Sequence, residues 1–261
     1  MGRLSLIPKG VVTAMQVALV ALVLLAAVPI ATGGLDVTGG ETNVSYDDSD
    51  HTITFEMDMS AGTSLYFEIN AAYDVSLRAG NVTVPLYEGE RVIPSSGTAV
   101  LSGEADMPLV CFIMMMVCAA ANGSDVTVIG DLKCSTLGGM LTLSASVVTV
   151  IATISNIDLD VDDIEMNISF TVSGDITDSI FGSGISEIVI GDVIISISSS
   201  STGDAYDAVI TMDAGGIPLT EALEAAADAA ADDVPVTYDG VAYEIGKDDV
   251  LFIVHVLERC T

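Results

Sequence analysis

From His51 onward, apolar and polar residues alternate in short runs, the spacing that puts successive side chains on opposite faces of a strand. The runs HTITFEMDM, NVTVPLY, AVLSG, DVTVIGDL and MLTLSASVVTVIATI begin at His51, Asn81, Ala99, Asp125 and Met140. They are rich in β-branched residues and predict strands. MNISFTV, SEIVIGDVIISISSS, DAVITMD, VPVTYDG and VLFIVHVL begin at Met166, Ser186, Asp207, Val234 and Val250 and predict a second set. Between Ile217 and Ala231 the period changes. Leu219, Ala222, Leu223 and Ala226 share one helical face, with Glu221, Glu224 and Asp228 elsewhere. Pro218 suits a first helical turn, Glu221 and Glu224 favour the positive end of the helix dipole, and Asp232, Asp233 and Pro235 end the element.

The two sets of runs are related. Shifting Met107–Leu132 by 110 positions places Pro108-Leu109 on Pro218-Leu219, Ala119–Ala121 on Ala229–Ala231, Val126-Thr127 on Val236-Thr237 and Gly130 on Gly240. Upstream, Glu56–Ser60 matches Glu165–Ser169, and Gly80-Asn81-Val82 matches Gly191-Asp192-Val193, with shifts of 109 and 111. Downstream, Met140–Val147 matches Val250–Leu257 in apolar pattern, which predicts a strand at both. The match makes residues 108–121 a helix too, one apolar nearly all round and too short to cross a bilayer with ease. Such a helix belongs in a core; the alternative is a greasy helix that docks on a lipid or a partner.

Ahead of the repeats, Val11 to Thr32 carries no charge and is long enough to span a hydrocarbon layer of about 30 Å. Arg3 and Lys9 precede it and acidic sequence follows, so the positive-inside rule keeps the N-terminus in the cytoplasm and puts the rest outside the cell membrane. A cleaved signal ending near Ala31-Thr32-Gly33 is the rival, and Lys9-Gly10 resembles a prepilin processing site. The expected architecture is mainly β: a cytoplasmic tip and transmembrane helix (1–34), then two tandem β-sandwich domains (35–150 and 151–261), each with one α-helix.

Charge narrows the partners. With 37 acidic and 7 basic side chains the chain carries −30. Phosphate contacts need Lys and Arg, so nucleic acid is excluded as a partner; the membrane partner is residues 11–32. Self-repulsion among so many carboxylates is screened in salty surroundings.

A strand, then Met107-Pro108-Leu109 opening a helix, then Val126-x-Val128-x-Gly130 in a strand, resembles the late-embryogenesis-abundant group 2 domain, also called the water-stress and hypersensitive-response (WHy) domain. Ile217-Pro218-Leu219 with Val236-x-Tyr238-x-Gly240 repeats the pattern, so the resemblance covers Thr52 to Leu257 as two domains. It implies a fibronectin-like sandwich with one helix and a non-catalytic, stress-related or envelope role.

Candidate chemistry is sparse. Cys111, Met114, Met115 and Cys118 are soft groups within two helical turns, suited to Cu(I) or to a hydrophobic contact. The second repeat puts Glu221, Glu224, Ala225 and Asp228 there, so no metal ligand set is expected and apolar filling explains the four. Cys111 and Cys118 stand about 10.5 Å apart along a helix, too far for a mutual disulfide. Cys134 and Cys260 remain as free thiols or as a bridge between the repeats. Asp158, Asp160, Asp162 and Asp163 lack the glycine and terminal glutamate of a calcium loop, and Asp158, Asp160 and Asp162 read as an exposed strand face. His51 and His255 stand near no nucleophile arrangement, and no phosphate-binding or hydrolase motif occurs, so neither catalysis nor a cofactor is expected. Asn43, Asn81, Asn122 and Asn167 each open an Asn-x-Ser/Thr sequon, acceptable in an exported chain. The functional expectation is a membrane-anchored, stress-protective envelope protein. The alternatives are a lipid- or partner-binding extracytoplasmic module and a pilin-like filament subunit.

Overall fold

A computed structural model describes residues 34–65, 67–136, 139, 141–160, 165–172, 187–202 and 205–260. The transmembrane segment expected at residues 11–32 lies outside them, as do Asp162 and Asp163. Among the described residues no helix is long and apolar enough to cross a membrane.

The protein is mainly β, with antiparallel sheets and three described helices. Strands β1 (Leu35–Asp47), β2 (Thr52–Thr63) and β5 (Thr98–Pro108) form a three-stranded sheet in the order β1-β2-β5. Ten more form the second sheet. These are β3 (Ile69–Ala79), β4 (Val82–Ile93), β6 (Val126–Thr136), β7 (Leu141–Asp160), β8 (Glu165–Val172), β9 (Glu187–Ile190), β10 (Val193–Thr202), β11 (Ala205–Asp213), β12 (Asp233–Tyr238) and β13 (Val241–Gly246). Their order is β13-β12-β9-β10-β11-β8-β7-β6-β3-β4. The helices are α1 (Leu109–Ala121), α2 (Leu219–Ala229) and α3 (Lys247–Cys260).

In the first half the small sheet packs on one end of the large one. Along β2 burial alternates, and Ile53, Phe55, Met57, Met59 and Ala61 all face inward. Met57 and Met59 lie over Gly130 of β6, where an added Cβ would sit 2.8 Å from Met59 Sδ. Two tyrosines fasten the layers. Tyr73 of β3 lies across Gly89 of β4 and donates to the Ser102 carbonyl of β5 at 3.0 Å. Tyr87 of β4 lies across Gly103 of β5 and donates to the Met57 carbonyl of β2 at 2.9 Å. Burial pushes the Tyr87 phenol up to about 12, so it stays a donor. A Cβ at position 103 would sit 2.2 Å from that ring. Gly103→Ala is therefore expected to displace Tyr87 and cost about 1–3 kcal/mol, measured by denaturant unfolding. A cost within about 0.5 kcal/mol, the usual range of an inconsequential surface change, would contradict the clasp.

The two halves share a pairing scheme. Two-residue turns with a left-handed glycine, Gly80 at φ 56° and Gly191 at φ 58°, close β3–β4 and β9–β10. Leu77, Arg78 and Ala79 pair with Val128, Thr127 and Val126; Ile188, Val189 and Ile190 pair with Tyr238, Thr237 and Val236. The register is the same in both, and it follows the 110- and 111-residue shifts. In each half a proline then opens the helix: Pro108 before α1 and Pro218 before α2.

Three departures follow. β5 leaves the large sheet and pairs with β2, whereas β11 stays hydrogen-bonded to β10. The second half is therefore one sheet covered by two helices among the described residues, rather than a second sandwich with one. The join expected at 150/151 falls within β7, whose pairing with β8 carries the sheet from one half into the other. Finally, Val250–Leu257, expected as a strand, lies in α3. Val250, Ile253, Val254 and Leu257 recur at helical spacing, Asp248 and Asp249 occupy the first turn, and Arg259 the last. These outweigh the β-branched content that suggested a strand.

Candidate functional site

The two halves meet around α1. Every residue from Leu109 to Ala120 is buried, because the small sheet, the large sheet and α3 cover it on different sides. Phe112 packs against Phe55 with ring centroids 5.9 Å apart. Pro108 supplies no capping side chain, and the Leu109 N–H donates instead to the His51 carbonyl at 2.8 Å. At the far end the N–H groups of Asn122, Gly123 and Ser124 donate to the carbonyls of Cys118, Ala120 and Ala119. This closes the orphan carbonyls of the last turn.

The structure places Cys111, Met114, Met115 and Cys118 in this helix, none more than 1% exposed. The surface that a lipid or partner would touch is here covered by the chain itself. Among the described residues no three His, Cys, Asp or Glu side chains converge as a metal site. Cys118 is bonded to Cys260, with Cα atoms 5.0 Å apart, and Cys111 and Cys134 are free and buried. Cys260 thus pairs across the halves, but with Cys118 rather than Cys134. The cause is α3. Cys111 Sγ lies 3.7 Å from the Asp249 carbonyl at the start of α3, and Cys118 meets Cys260 at its end, so α1 and α3 run parallel. A strand at 250–257 would have left Cys260 at the level of the sheet.

Cys111 lines a cleft of about 190 Å3 with Pro85, Met107, Pro108, Asp249 and Phe252. Burial pushes both the Cys111 thiol and the Asp249 carboxyl up, and the Gly246 N–H, 3.1 Å from Asp249 Oδ2, works against the latter. A second cleft, about 260 Å3, is lined by Leu35, Val37, Leu132, Cys134 and Leu143. A wider polar groove of about 680 Å3 crosses Asn70, Ala72, Glu90, Arg91, Val92 and Ser135. The first of these clefts holds a thiol and a carboxyl, and burial disfavours the ionised form of each.

Sequence reasoning missed the ring cluster beside α1. His51, 8% exposed, ends the β1–β2 turn with a positive φ of 53°. It stacks on Tyr238 at 4.4 Å and meets the edge of Tyr243 at 4.2 Å, both from the second half. The Tyr46 hydroxyl and His51 Nδ1 share a hydrogen bond, and burial holds the phenol protonated. The Tyr238 hydroxyl is buried beside Cys111 and the Val110 backbone, without a hydrogen bond of full geometry. Nothing in the local sequence marks His51, since both stacked tyrosines lie more than 180 residues away.

Burial lowers the His51 pKa, opposed by the carboxylates of Asp48, Asp50 and Asp239. The unfolded imidazole titrates near about 6.5. Below that pH the unfolded chain binds a proton that the folded chain refuses. This stabilising contribution is thus full above about 6.5 and fades as pH falls through the lower folded value. Asp249, raised, has the opposite sign on the acid side. Unfolding measured from about pH 7.5 to 5 is expected to show stability falling with acid, and His51→Gln is expected to flatten the slope. An unchanged slope in that variant would refute the assignment.

No family model matches the chain, and no curated protein matches it. Solved structures are similar to it only at low scores. A Bordetella pertussis protein assigned to ApaA is 11% identical, TM-score 0.30, covering 44% of this chain and 94% of that one. A protein from Archaeoglobus fulgidus is 10% identical, TM-score 0.27, with coverages of 44% and 94%. The sporulation control protein Spo0M from Bacillus subtilis is 10% identical, TM-score 0.26, with coverages of 87% and 97%. Nothing of function is carried over from them.

Proposed function

We propose that this chain is a non-catalytic structural protein of the cell envelope, anchored through residues 11–32 and holding its β-rich body outside the membrane. The carrying observation is the Cys118–Cys260 disulfide, which ties the body together across 142 residues and suits an oxidising compartment. The acidic composition fits a solvated exterior, and one described ion pair, Lys247–Asp228 at 3.5 Å, offsets little of it. Resemblance to the late-embryogenesis-abundant group 2 domain supports a protective role under water stress.

Three measurements test this reading. Intact membranes from the native host should expose the body to added protease while the chain resists extraction by salt and yields to detergent. A body recovered in the cytosol with Cys118 and Cys260 reduced would end the proposal. Intact mass of the purified chain addresses the anchor: a chain that keeps Met1 or Gly2 supports it, a chain starting at Val11 supports a filament subunit, and a chain starting near Gly33 removes both. Raising salt from about 0.1 M to about 1 M, which shortens the screening length from about 10 Å to about 3 Å, is expected to raise the unfolding midpoint. A midpoint that falls or stays level would contradict an acidic body limited by self-repulsion.

A further inference from the structure

We infer that Asn43 and Asn81 are sites of N-linked glycosylation and that Asn122 is not, although all three open a sequon. The inference rests on the proposed export of the body. The distinction comes from how each sequon is presented. Asn43 and Ser45 are exposed on β1, the outermost strand of the small sheet, with Val44 buried between them. Asn81 and Thr83 are exposed at the β3–β4 turn, with Val82 buried between them. Residues i and i+2 of a strand share a face, so Asn43 offers its amide beside the Ser45 hydroxyl, and at the turn Asn81 and Thr83 are both open to solvent.

Asn122 is engaged. Asn122 is exposed as well, but its Nδ2 donates to the Cys118 carbonyl at 2.9 Å and lies 3.7 Å from Cys118 Sγ, so the amide is turned back onto α1. Its companion, Ser124, donates through Oγ to the Ala119 carbonyl at 3.3 Å. A sugar on Asn122 would displace the helix cap beside the disulfide. Asn81 Nδ2 makes one hydrogen bond, 3.3 Å to Asn122 Oδ1, which leaves its second N–H for substitution. Asn167 lies in β8, and its side chain is outside the described set.

The donor class is a polyprenyl-phosphate-linked oligosaccharide. The Asn Nδ2–C1 bond forms as the sugar C1–O bond to phosphate breaks, and the proton lost from Nδ2 leaves with the phosphate. A glycan at position 43 would also shield the outer edge of β1, where unpaired backbone invites strand addition.

The test is glycopeptide mass spectrometry on the full chain purified from membranes of its native host, with the disulfide mapped in the same digest. Glycan on Asn43 and Asn81 with bare Asn122 is the expected result. Asn81→Gln and Thr83→Ala should each remove one glycan and leave that on Asn43. Bare asparagines in a chain with Cys118–Cys260 formed would overturn this inference and leave export standing. Bare asparagines with both cysteines reduced would overturn both. A glycan on Asn122 would refute the discrimination.

Discussion

A chain carrying Cys118→Ala and Cys260→Ser is expected to lose about 5 kcal/mol of unfolding free energy by the chain-entropy relation, and at least about 2 kcal/mol on the experience of native disulfides. The magnitude follows from the span. The bridge closes a loop of 142 residues, so it restrains a large part of the unfolded ensemble. It also holds the last turns of α1 and α3 together, where Cys118 is fully buried. Chemical unfolding of the variant, and of the parent chain under reducing agent, should show the same loss. Cys111 and Cys134 are already free and serve as internal controls. An undiminished midpoint in the reduced chain would mean that packing alone holds the halves.

The second large effect concerns the core helix. Phe112→Ala removes a ring that is fully buried and packed on Phe55, and is expected to cost about 3–5 kcal/mol. The loss has two parts, the transfer of the ring out of water and the cavity left between two sheets and α3, which hydrogen-bonded strands cannot close. Leu251→Ala on α3, at a position 40% exposed, is the control and should cost far less. Equal losses at the two positions would mean that α1 lies at a surface.

How much of this was legible in the sequence differs between elements. Helix α1 was legible only through its partner: Leu109–Ala120 has no polar face, and α2, with Ala222, Leu223 and Ala227 buried and Glu221 and Glu224 exposed, supplied the period. The β6 and β12 registers were legible for the same reason. Strand β3 escaped notice although its burial alternates perfectly, because three of its inward residues are Ala71, Ala79 and Tyr73 beside small or charged neighbours. Alanine carries little strand preference. Strand β1 was hidden by Gly39, Gly40 and an acidic surround. Helix α3 is hidden because Val, Ile and Phe crowd Val250–Leu257, although the spacing of Val250, Ile253, Val254 and Leu257 is helical.

The same concealment reaches the candidate site. With Val250–Leu257 taken as a strand, Cys260 had no route to α1, and the pairing with Cys118 was invisible. The His51 cluster could not be read at all. Its rings come from β1, the β1–β2 turn, β12 and β13, elements of two halves that the β7–β8 pairing and the α1–α3 packing join. Contacts between distant segments leave no periodic trace.

The most direct test of the account is the cysteine map of the native, non-reduced chain. Alkylation under denaturing conditions, followed by digestion without reductant, should yield one cross-linked peptide pair joining Cys118 to Cys260, with label on Cys111 and Cys134. Label on all four cysteines, or a bridge from Cys260 to Cys134, would contradict the parallel packing of α1 and α3 on which the union of the halves depends.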